Sequence, residues 1–330
     1  MNTLLTIAIP TYNRSRYICR LLDSLLPQLE AIRNNFAIEL LVSDNASTDD
    51  TESALAAYRS RGLAFRYVRN PSNLGADANI LQCFELATGQ YVWIVGDDDI
   101  ILAGALAQVV SLLKREDLDI VHLRAKLLID DTPQPERAAP LHISVTEDAK
   151  TFTLECHVDL TFISGNIVNK ERVLSLPHAP FHELIGTNLV QLGWTYTLLR
   201  QFRRGAYISQ PIVAAGADAR GGYALFKVFG ANLKSISEKW LARPELTRII
   251  LNGTLQIFFL PFVLNAGRGE EAFLDEKYEE LLSSLFSDNY RYHLFVYPLI
   301  KLPPSLGYIW FILCRVINRI NRAMGNPMLR

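Results

Sequence analysis

The sequence predicts an α/β protein: a mostly parallel sheet flanked by helices, followed by a helical C-terminal extension. Three observations carry this. From Leu4 to about Leu128, short apolar runs rich in β-branched residues alternate with amphipathic stretches of helical spacing. The short runs are nearly continuous in apolar residues, as strands buried on both faces require. The last ~40 residues lose the alternation and keep only helical spacing.

The predicted strands are Leu4–Pro10, Ile38–Asp44, Ala64–Arg69, Tyr91–Val95 and Ile120–Leu127. Between the first two, Ile18, Leu21, Leu22, Leu25 and Leu29 recur at helical spacing, with Asn13 or Ser15 placed to cap. A second helix is expected through Ala57, with Ser47 and Thr48 as its caps, and a third over Ala103–Leu113. Asp130–Pro140, dense in proline and charge, reads as an exposed loop. Thr161–Val168 then reads as a strand, Ile185–Leu199 as a helix and Asp218–Tyr223 (DARGGY) as a turn.

Composition narrows the function. A formal net charge of -1 argues against a dedicated nucleic-acid binder. Cys19, Cys83, Cys156 and Cys314 form no CxxC pair, which offers neither a zinc site nor a disulfide framework. MNTLLTIAIP lacks the basic start and cleavage site of a signal peptide and reads as a first strand, so a cytoplasmic protein is expected.

The C-terminal tail has two open readings. Leu306, Ile309, Trp310, Leu313, Ile317, Ile320 and Met324 share one helical face; Arg315, Arg319 and Arg322 share another. Lys301 and Pro303–Pro304 interrupt the apolar stretch Leu294–Leu313, which makes it a poor membrane span. The helix either lies in a membrane interface or packs its apolar face on the protein's own core.

The strongest local signal is Tyr91–Asp99, YVWIVGDDD, a buried-looking strand ending in three carboxylates. Ligands of open α/β sheets bind outside the carboxyl ends of strands, and clustered carboxylates there suit Mg²⁺ or Mn²⁺. The alternative is an acidic turn capping the helix near Ala103. Other strand ends bear polar clusters too. The first runs into Pro10-Thr11-Tyr12-Asn13-Arg14, where a tyrosine can stack on a base and Thr11 and Asn13 can hydrogen-bond. The second ends at Asp44, able to accept from a ribose hydroxyl or a base N–H. The segment Asn70–Asn79 offers Asn73 and Asn79 beside the turn at Gly75. Together these ends imply a nucleotide-diphosphate pocket.

The ordered strings PTYN, DNASTDDT, NLGADAN and ATGQYVWIVGDDD resemble the family-2 glycosyltransferases of GT-A fold over roughly residues 1–130. The resemblance implies that Tyr12 and Asp44 contact the nucleobase or ribose and that Asp97–Asp99 form the DxD-type site. Gly96 replaces the first aspartate of the usual pattern, which favours Asp98 and Asp99 over Asp97 as direct ligands of Mg²⁺ or Mn²⁺. No arginine occupies Asn73–Asn79, where relatives often carry one, so the metal is left as main neutraliser of the diphosphate.

FISGNIVNKERV, ELIGTNLVQLGW and GGYALFKVFGANL resemble a narrower group, the abequosyltransferase-like enzymes of bacterial O-antigen assembly. These resemblances divide the chain into a GT-A domain over 1–240 (nucleotide-sugar half 1–130, acceptor half 131–240) and a helical extension over 241–330. They imply inverting transfer from a UDP-, CDP-, GDP- or dTDP-linked sugar to a glycan hydroxyl, with a lipid-linked oligosaccharide as expected acceptor. Such an acceptor fits a peripheral enzyme on the inner face of the plasma membrane, and no nucleic-acid partner.

The general base is the weak point. The family places it in an acidic pair opening a helix; Glu183 is the nearest match, without the pair. Asp218 is second and Asp159 third; His182 is an alternative. Glu183 reads equally as a first-turn residue favoured by the helix dipole. Gln201-Phe202-Arg203-Arg204 has the Gln and Arg of processive synthases but not the Trp, which disfavours that class. A nucleotidyltransferase needs a glycine-rich basic loop after the first strand, and PTYNR has no glycine. A dinucleotide-binding dehydrogenase needs GxGxxG after a strand, and none is present. A non-catalytic nucleotide-sugar-binding module stays open because the acidic pair is missing.

Overall fold

The computed structural model describes residues 3–128, 141–216, 223–266 and 277–323, residues 322 and 323 by backbone alone. The chain forms two compact units, one of 1–149 with 160–218 and one of 150–159 with 219–330. The segment around Cys156 belongs with the C-terminal helices.

The first unit begins β1 (Leu5–Thr11), α1 (Ser15–Ile32), β2 (Ile38–Asp44), α2 (Thr51–Ser60), β3 (Arg66–Arg69), α3 (Ala76–Leu86) and β4 (Tyr91–Ile94). It continues with β5 (Ile100–Ile101), α4 (Ala105–Arg115), β6 (Ile120–Leu127), β7 (Ile143–Thr146) and, crossing the division, α5 (Ala149–Cys156). It closes with β8 (Asn166–Asn169), α6 (Lys170–Ser175), α7 (Leu192–Arg200) and β9 (Gly205–Ala215). The nine strands form one sheet in the order β3-β2-β1-β4-β8-β6-β9-β5, with β7 on β9. β3, β2, β1 and β4 run parallel, and β8 lies antiparallel between β4 and β6.

The apolar runs dictate this. Leu5, Ile7 and Ile9 on one face of β1 join Ile18, Leu21, Leu22 and Leu25 of α1 and Val109, Val110 and Leu113 of α4 in one buried core. The chain leaves β1 for β2 and β3 on one side, then returns to β4 on the other. β1 and β4 therefore flank the switch point, where an open sheet offers a crevice at its carboxyl edge.

The mostly parallel sheet agrees with the sequence reading, but several local expectations change. Neither Asn13 nor Ser15 caps α1; Asn13 turns at φ +52° and Ser15 donates its amide to Asp49 Oδ2 at 3.1 Å. Asp49, not Ser47 or Thr48, takes the Thr51 amide at the start of α2 (3.1 Å). The expected strand Thr161–Val168 is strand only from Asn166, after 3₁₀ turns, because the Asn166 side-chain amide binds the carbonyls of Leu160 (3.0 Å) and Phe162 (2.9 Å) and curls the chain before β8. The expected helix Ile185–Leu199 starts only at Leu192. Gly186 (φ +89°) and Asn188 (φ +58°) break it, their amides each 2.8 Å from Asp77 Oδ2. The loop at 130–140 and residues 218–222 of DARGGY lie outside the described residues.

In the second unit α8 (Leu233–Ile236), α9 (Pro244–Gly253), α10 (Phe259–Ala266), α11 (Tyr278–Phe286), α12 (Tyr297–Lys301) and α13 (Pro304–Ala323) are joined in part by wider helical turns. α9, one such turn and α10 form a helix over Pro244–Ala266 that is long and apolar enough to cross a membrane; 67% of its most apolar stretch is buried inside the protein.

Candidate functional site

The switch point is where the sequence-predicted residues gather. Thr11, at the end of β1, donates to Asp97 Oδ2 at 2.7 Å, joining the ends of two neighbouring strands 86 residues apart. Arg14, in the turn after β1, sits 3.3 Å from Asp97 Oδ1 and 3.0 Å from Asp98 Oδ2. Arg20 from the first turns of α1 donates to the Asp98 carbonyl. Asp99 takes a hydrogen bond from the Ser164 hydroxyl on Oδ2 and from the Gly216 amide on Oδ1 (2.9 Å). None of these carboxylates caps α4, whose first turn instead offers the Leu106 amide to Gln28 (3.1 Å). The capping reading of the triplet is therefore excluded by geometry.

Electrostatics set these aspartates apart. Burial pushes both Asp97 and Asp99 up to about 7. For Asp97, Arg14 and the Thr11 hydroxyl oppose the rise; for Asp99, the neighbouring Asp98 adds to it and Ser164 opposes it. Two buried carboxylates beside a third, less buried one make a site that favours added positive charge.

Gly96 explains its own place in the sequence. A Cβ there would sit 3.1 Å from Asp99 Oδ2 and 3.2 Å from Asp98 Oδ1, so two carboxylate oxygens border the space the glycine leaves open. Gly216 is a second close approach, where a Cβ would meet the Asp98 carbonyl oxygen at 2.6 Å.

Around this centre the loops after β1, β2 and β3 are wired together. Asn13 donates its amide to Ser47 Oγ (2.9 Å), and its side-chain oxygen accepts from the Thr48 amide (2.7 Å). Asn45 accepts from the Leu74 amide (2.9 Å) and donates to Asn73 Oδ1 (2.8 Å). Tyr12 stands 40% exposed at the rim, and Pro10 is half-buried.

Two expected contact residues also hydrogen-bond within the protein. Asp44 is fully buried, its oxygens engaged by the Ser47 amide (2.8 Å) and the Tyr67 hydroxyl (2.7 Å). Asn79 is buried as well, accepting from Ser43 Oγ (2.7 Å) and donating to the Ser43 carbonyl (3.0 Å). As placed, neither side chain faces open space, because each holds a loop in register.

Glu183 lies exposed on a single 3₁₀ turn, Phe181–Leu184, rather than opening an α-helix. Phe181 anchors that turn edge-on against Phe84 (5.6 Å) and Trp194 (5.8 Å), which themselves stack at 4.4 Å. Asp218 lies outside the described residues. Asp159 falls in the other compact unit. His182 is exposed on the same turn as Glu183. Arg203, noted for its partial synthase string, grips buried Asp119 through Nε (3.0 Å) and Nη2 (2.9 Å), a structural clamp.

Sequence reasoning missed Arg14, Arg20, Ser164, Gly216 and Asp77. Arg14 had a signal, being the one cation in PTYNR beside an acidic strand end. Ser164 and Gly216 had none, since only folding brings β8 and β9 to the carboxylates.

Comparison with known proteins follows the same line. The chain is 43% identical over 105 residues to the abequosyltransferase RfbV of Salmonella typhimurium, covering 32% of this chain and 31% of that protein. It is 35% identical over 109 residues to an uncharacterised glycosyltransferase of Mycoplasma pneumoniae, covering 33% and 36%. The matches thus span about a third of these curated relatives. Among solved structures, S. aureus TarS 1–349 in complex with UDP-GlcNAc superposes with a TM-score of 0.59 at 18% identity, covering 98% of this chain and 92% of that one. The mannosyltransferase PcManGT of Pyrobaculum calidifontis, in complex with GDP-Man and Mn²⁺, gives 0.50 at 17% identity, covering 96% and 87%. At such identities these structures speak for the fold, which is GT-A. The sequence profile of Glycosyl transferase family 2 matches residues 6–171, half of the chain, and with the strand ends just described it makes this protein a member of that family.

Proposed function

We propose that this protein transfers a sugar from a nucleoside-diphosphate sugar to a hydroxyl of a glycan acceptor, with inversion at the anomeric carbon. The observation that carries the reading is the meeting of Thr11 and the Asp97–Asp99 carboxylates at the switch point of the sheet, where nucleotide ligands of open α/β folds bind. In this reading Tyr12 stacks on the nucleobase, Pro10, Thr11, Asn13 and Asn73 line the nucleoside side, and Asp44 and Asn79 keep those loops in place.

The residues fit a divalent cation. Asp98 and Asp99, adjacent at the end of β4, supply the hard oxygen donors that Mg²⁺ or Mn²⁺ prefers. Among the described residues no group of three or more His, Cys, Asp or Glu has metal-site spacing. In this reading Asp98 and Asp99 would hold the cation, with water and diphosphate oxygens as further donors, as is usual for Mg²⁺. Bound there, the cation would neutralise charge on the departing diphosphate. Arg14 and Thr11 hold Asp97 beside it, and Arg20 fixes the backbone of Asp98. Glu183 is the proposed general base, with Asp218 as the alternative.

The acceptor in this reading is a cell-surface polysaccharide intermediate, such as a lipid-linked O-antigen oligosaccharide, the class implied by the resemblance of the C-terminal strings to abequosyltransferase-like enzymes. Such an acceptor would be met at a membrane surface. A second reading, a nucleotide-sugar-binding module without turnover, is favoured by one feature: Arg14 already places a cation against Asp97 and Asp98.

Calorimetric titration with UDP-, CDP-, GDP- and dTDP-sugars, with and without Mn²⁺, tests the proposal. One donor should bind more tightly with Mn²⁺, and the Asp98→Asn/Asp99→Asn variant should lose that gain. Absence of binding, or binding indifferent to the metal and both aspartates, would overturn it. Metal-dependent binding without release of nucleoside diphosphate in the presence of acceptor glycans would favour the module.

A further inference from the structure

We infer that α13 is an interfacial anchor that seats the protein on an anionic lipid surface. The helix docks on its own unit through a small and polar face. Gly307 and Cys314 are buried there, and Asn318 and Gln256 exchange hydrogen bonds, Asn318 Nδ2 to the Gln256 carbonyl at 2.9 Å and Gln256 Nε2 to Asn318 Oδ1 at 2.7 Å. Trp310 Nε1 reaches the Leu294 carbonyl at 3.1 Å. With these contacts made, the apolar stripe points elsewhere. Leu306, Ile309, Leu313, Val316, Ile317 and Ile320 recur at helical spacing and are 41–56% exposed. The reading in which this stripe packs on the protein's own core does not hold among the described residues.

A row of six exposed aliphatic side chains on one helix is unusual for a surface in contact with water alone. Charge selects the occupant. Arg315 and Arg319 are exposed one helical turn apart beside the stripe, and the sequence contains no acidic residue after Asp288. An aliphatic face flanked by arginines, with no carboxylate on the helix, is complementary to acyl chains beneath an anionic headgroup layer. A second copy docking by the same face would bring the same arginines together with no partner on the helix, which disfavours self-association. The helix, about 30 Å long at 1.5 Å per residue, would lie along the surface rather than across it. This anchoring does not depend on the transfer reaction proposed above, and vesicle binding tests it independently of donor binding.

The full chain should co-sediment with phosphatidylcholine–phosphatidylglycerol vesicles and much less with phosphatidylcholine alone. Ile309→Asp/Ile317→Asp should lower the partition coefficient at least roughly tenfold. Arg315→Gln/Arg319→Gln should lower it by about fivefold for each arginine, on anionic vesicles only. Because these side chains are exposed, both variants should keep the wild-type Tm. No binding to anionic vesicles overturns the inference, as does binding that the Asp pair leaves unchanged. A concentration-dependent dimer by sedimentation velocity, abolished by the Asp pair and without vesicle binding, overturns it in favour of a second copy. A large loss of Tm in the Asp pair with vesicle binding intact overturns it in favour of core packing.

Discussion

The Ser164 hydroxyl donates to Asp99 Oδ2 while accepting the Gly96 amide at 2.8 Å, so one side chain holds both the carboxylate and the backbone turn that presents it. Ser164 precedes β8, the antiparallel strand beside β4, and its carbonyl also takes the Trp93 indole N–H at 2.9 Å. The acidic end of β4 is thereby fastened from a part of the chain about seventy residues away.

Ser164→Ala should cost ~1–3 kcal/mol of stability, because the Gly96 amide loses its partner in a buried place. It should also weaken metal-dependent donor binding, since Asp99 loses the bond that opposes its upward shift. Urea unfolding and donor titration at neutral pH measure the two effects. A variant of wild-type stability and affinity would show that the bridge is incidental.

Asp98→Asn and Asp99→Asn should each reduce turnover by roughly a thousandfold, the scale expected when several kcal/mol of leaving-group stabilisation is lost. Circular dichroism and Tm should stay near wild type, because removing a buried or clustered negative charge relieves repulsion. Full turnover in either variant would remove that residue from the site.

Gly216→Ala should disturb the same centre from the other side. The new methyl would press on the Asp98 carbonyl oxygen and shift the amide that serves Asp99. Donor affinity is expected to fall, while secondary structure measured by circular dichroism stays intact.

Asp77 gives a pH prediction. Burial raises its carboxyl above the ordinary range, and the amides of Asn188 and Gly186 only partly offset this. The folded chain then keeps this proton to higher pH than the unfolded chain, whose aspartates titrate near ~3.9. Its contribution to stability is fullest below that unfolded value and is lost as pH rises through the folded one. Asp77→Asn cannot ionise, so its stability relative to wild type should grow as pH rises across that window. Urea unfolding at acidic and neutral pH reads the difference directly; parallel pH profiles for the two proteins would contradict it.

The general base separates by substitution. Glu183→Gln should abolish turnover and leave donor binding intact, whereas Asp218→Asn should matter little if Glu183 serves. Near-normal turnover in Glu183→Gln, with loss in Asp218→Asn, would transfer the role.

The chain itself determined where the parallel strands lie along the sequence and the polar character of their ends, since these follow from local periodicity and apolar runs; their order in the sheet came from the fold. Thr11, Tyr12 and Asp97–Asp99 could be singled out because strand ends are recognisable one at a time. Tertiary structure decided which of those side chains remain available. Asp44 is engaged by the Ser47 amide of its own loop and the Tyr67 hydroxyl of β3, and Asn79 of α3 bonds Ser43 of β2. It also decided the partners of the carboxylates: Arg14 lies across a turn, while Ser164 and Gly216 arrive from distant strands. The face of α13 that docks was settled in the same way. Periodicity identifies an apolar stripe, but whether a stripe is covered depends on what packs beside it, and here Gly307, Cys314 and Asn318 make the contact.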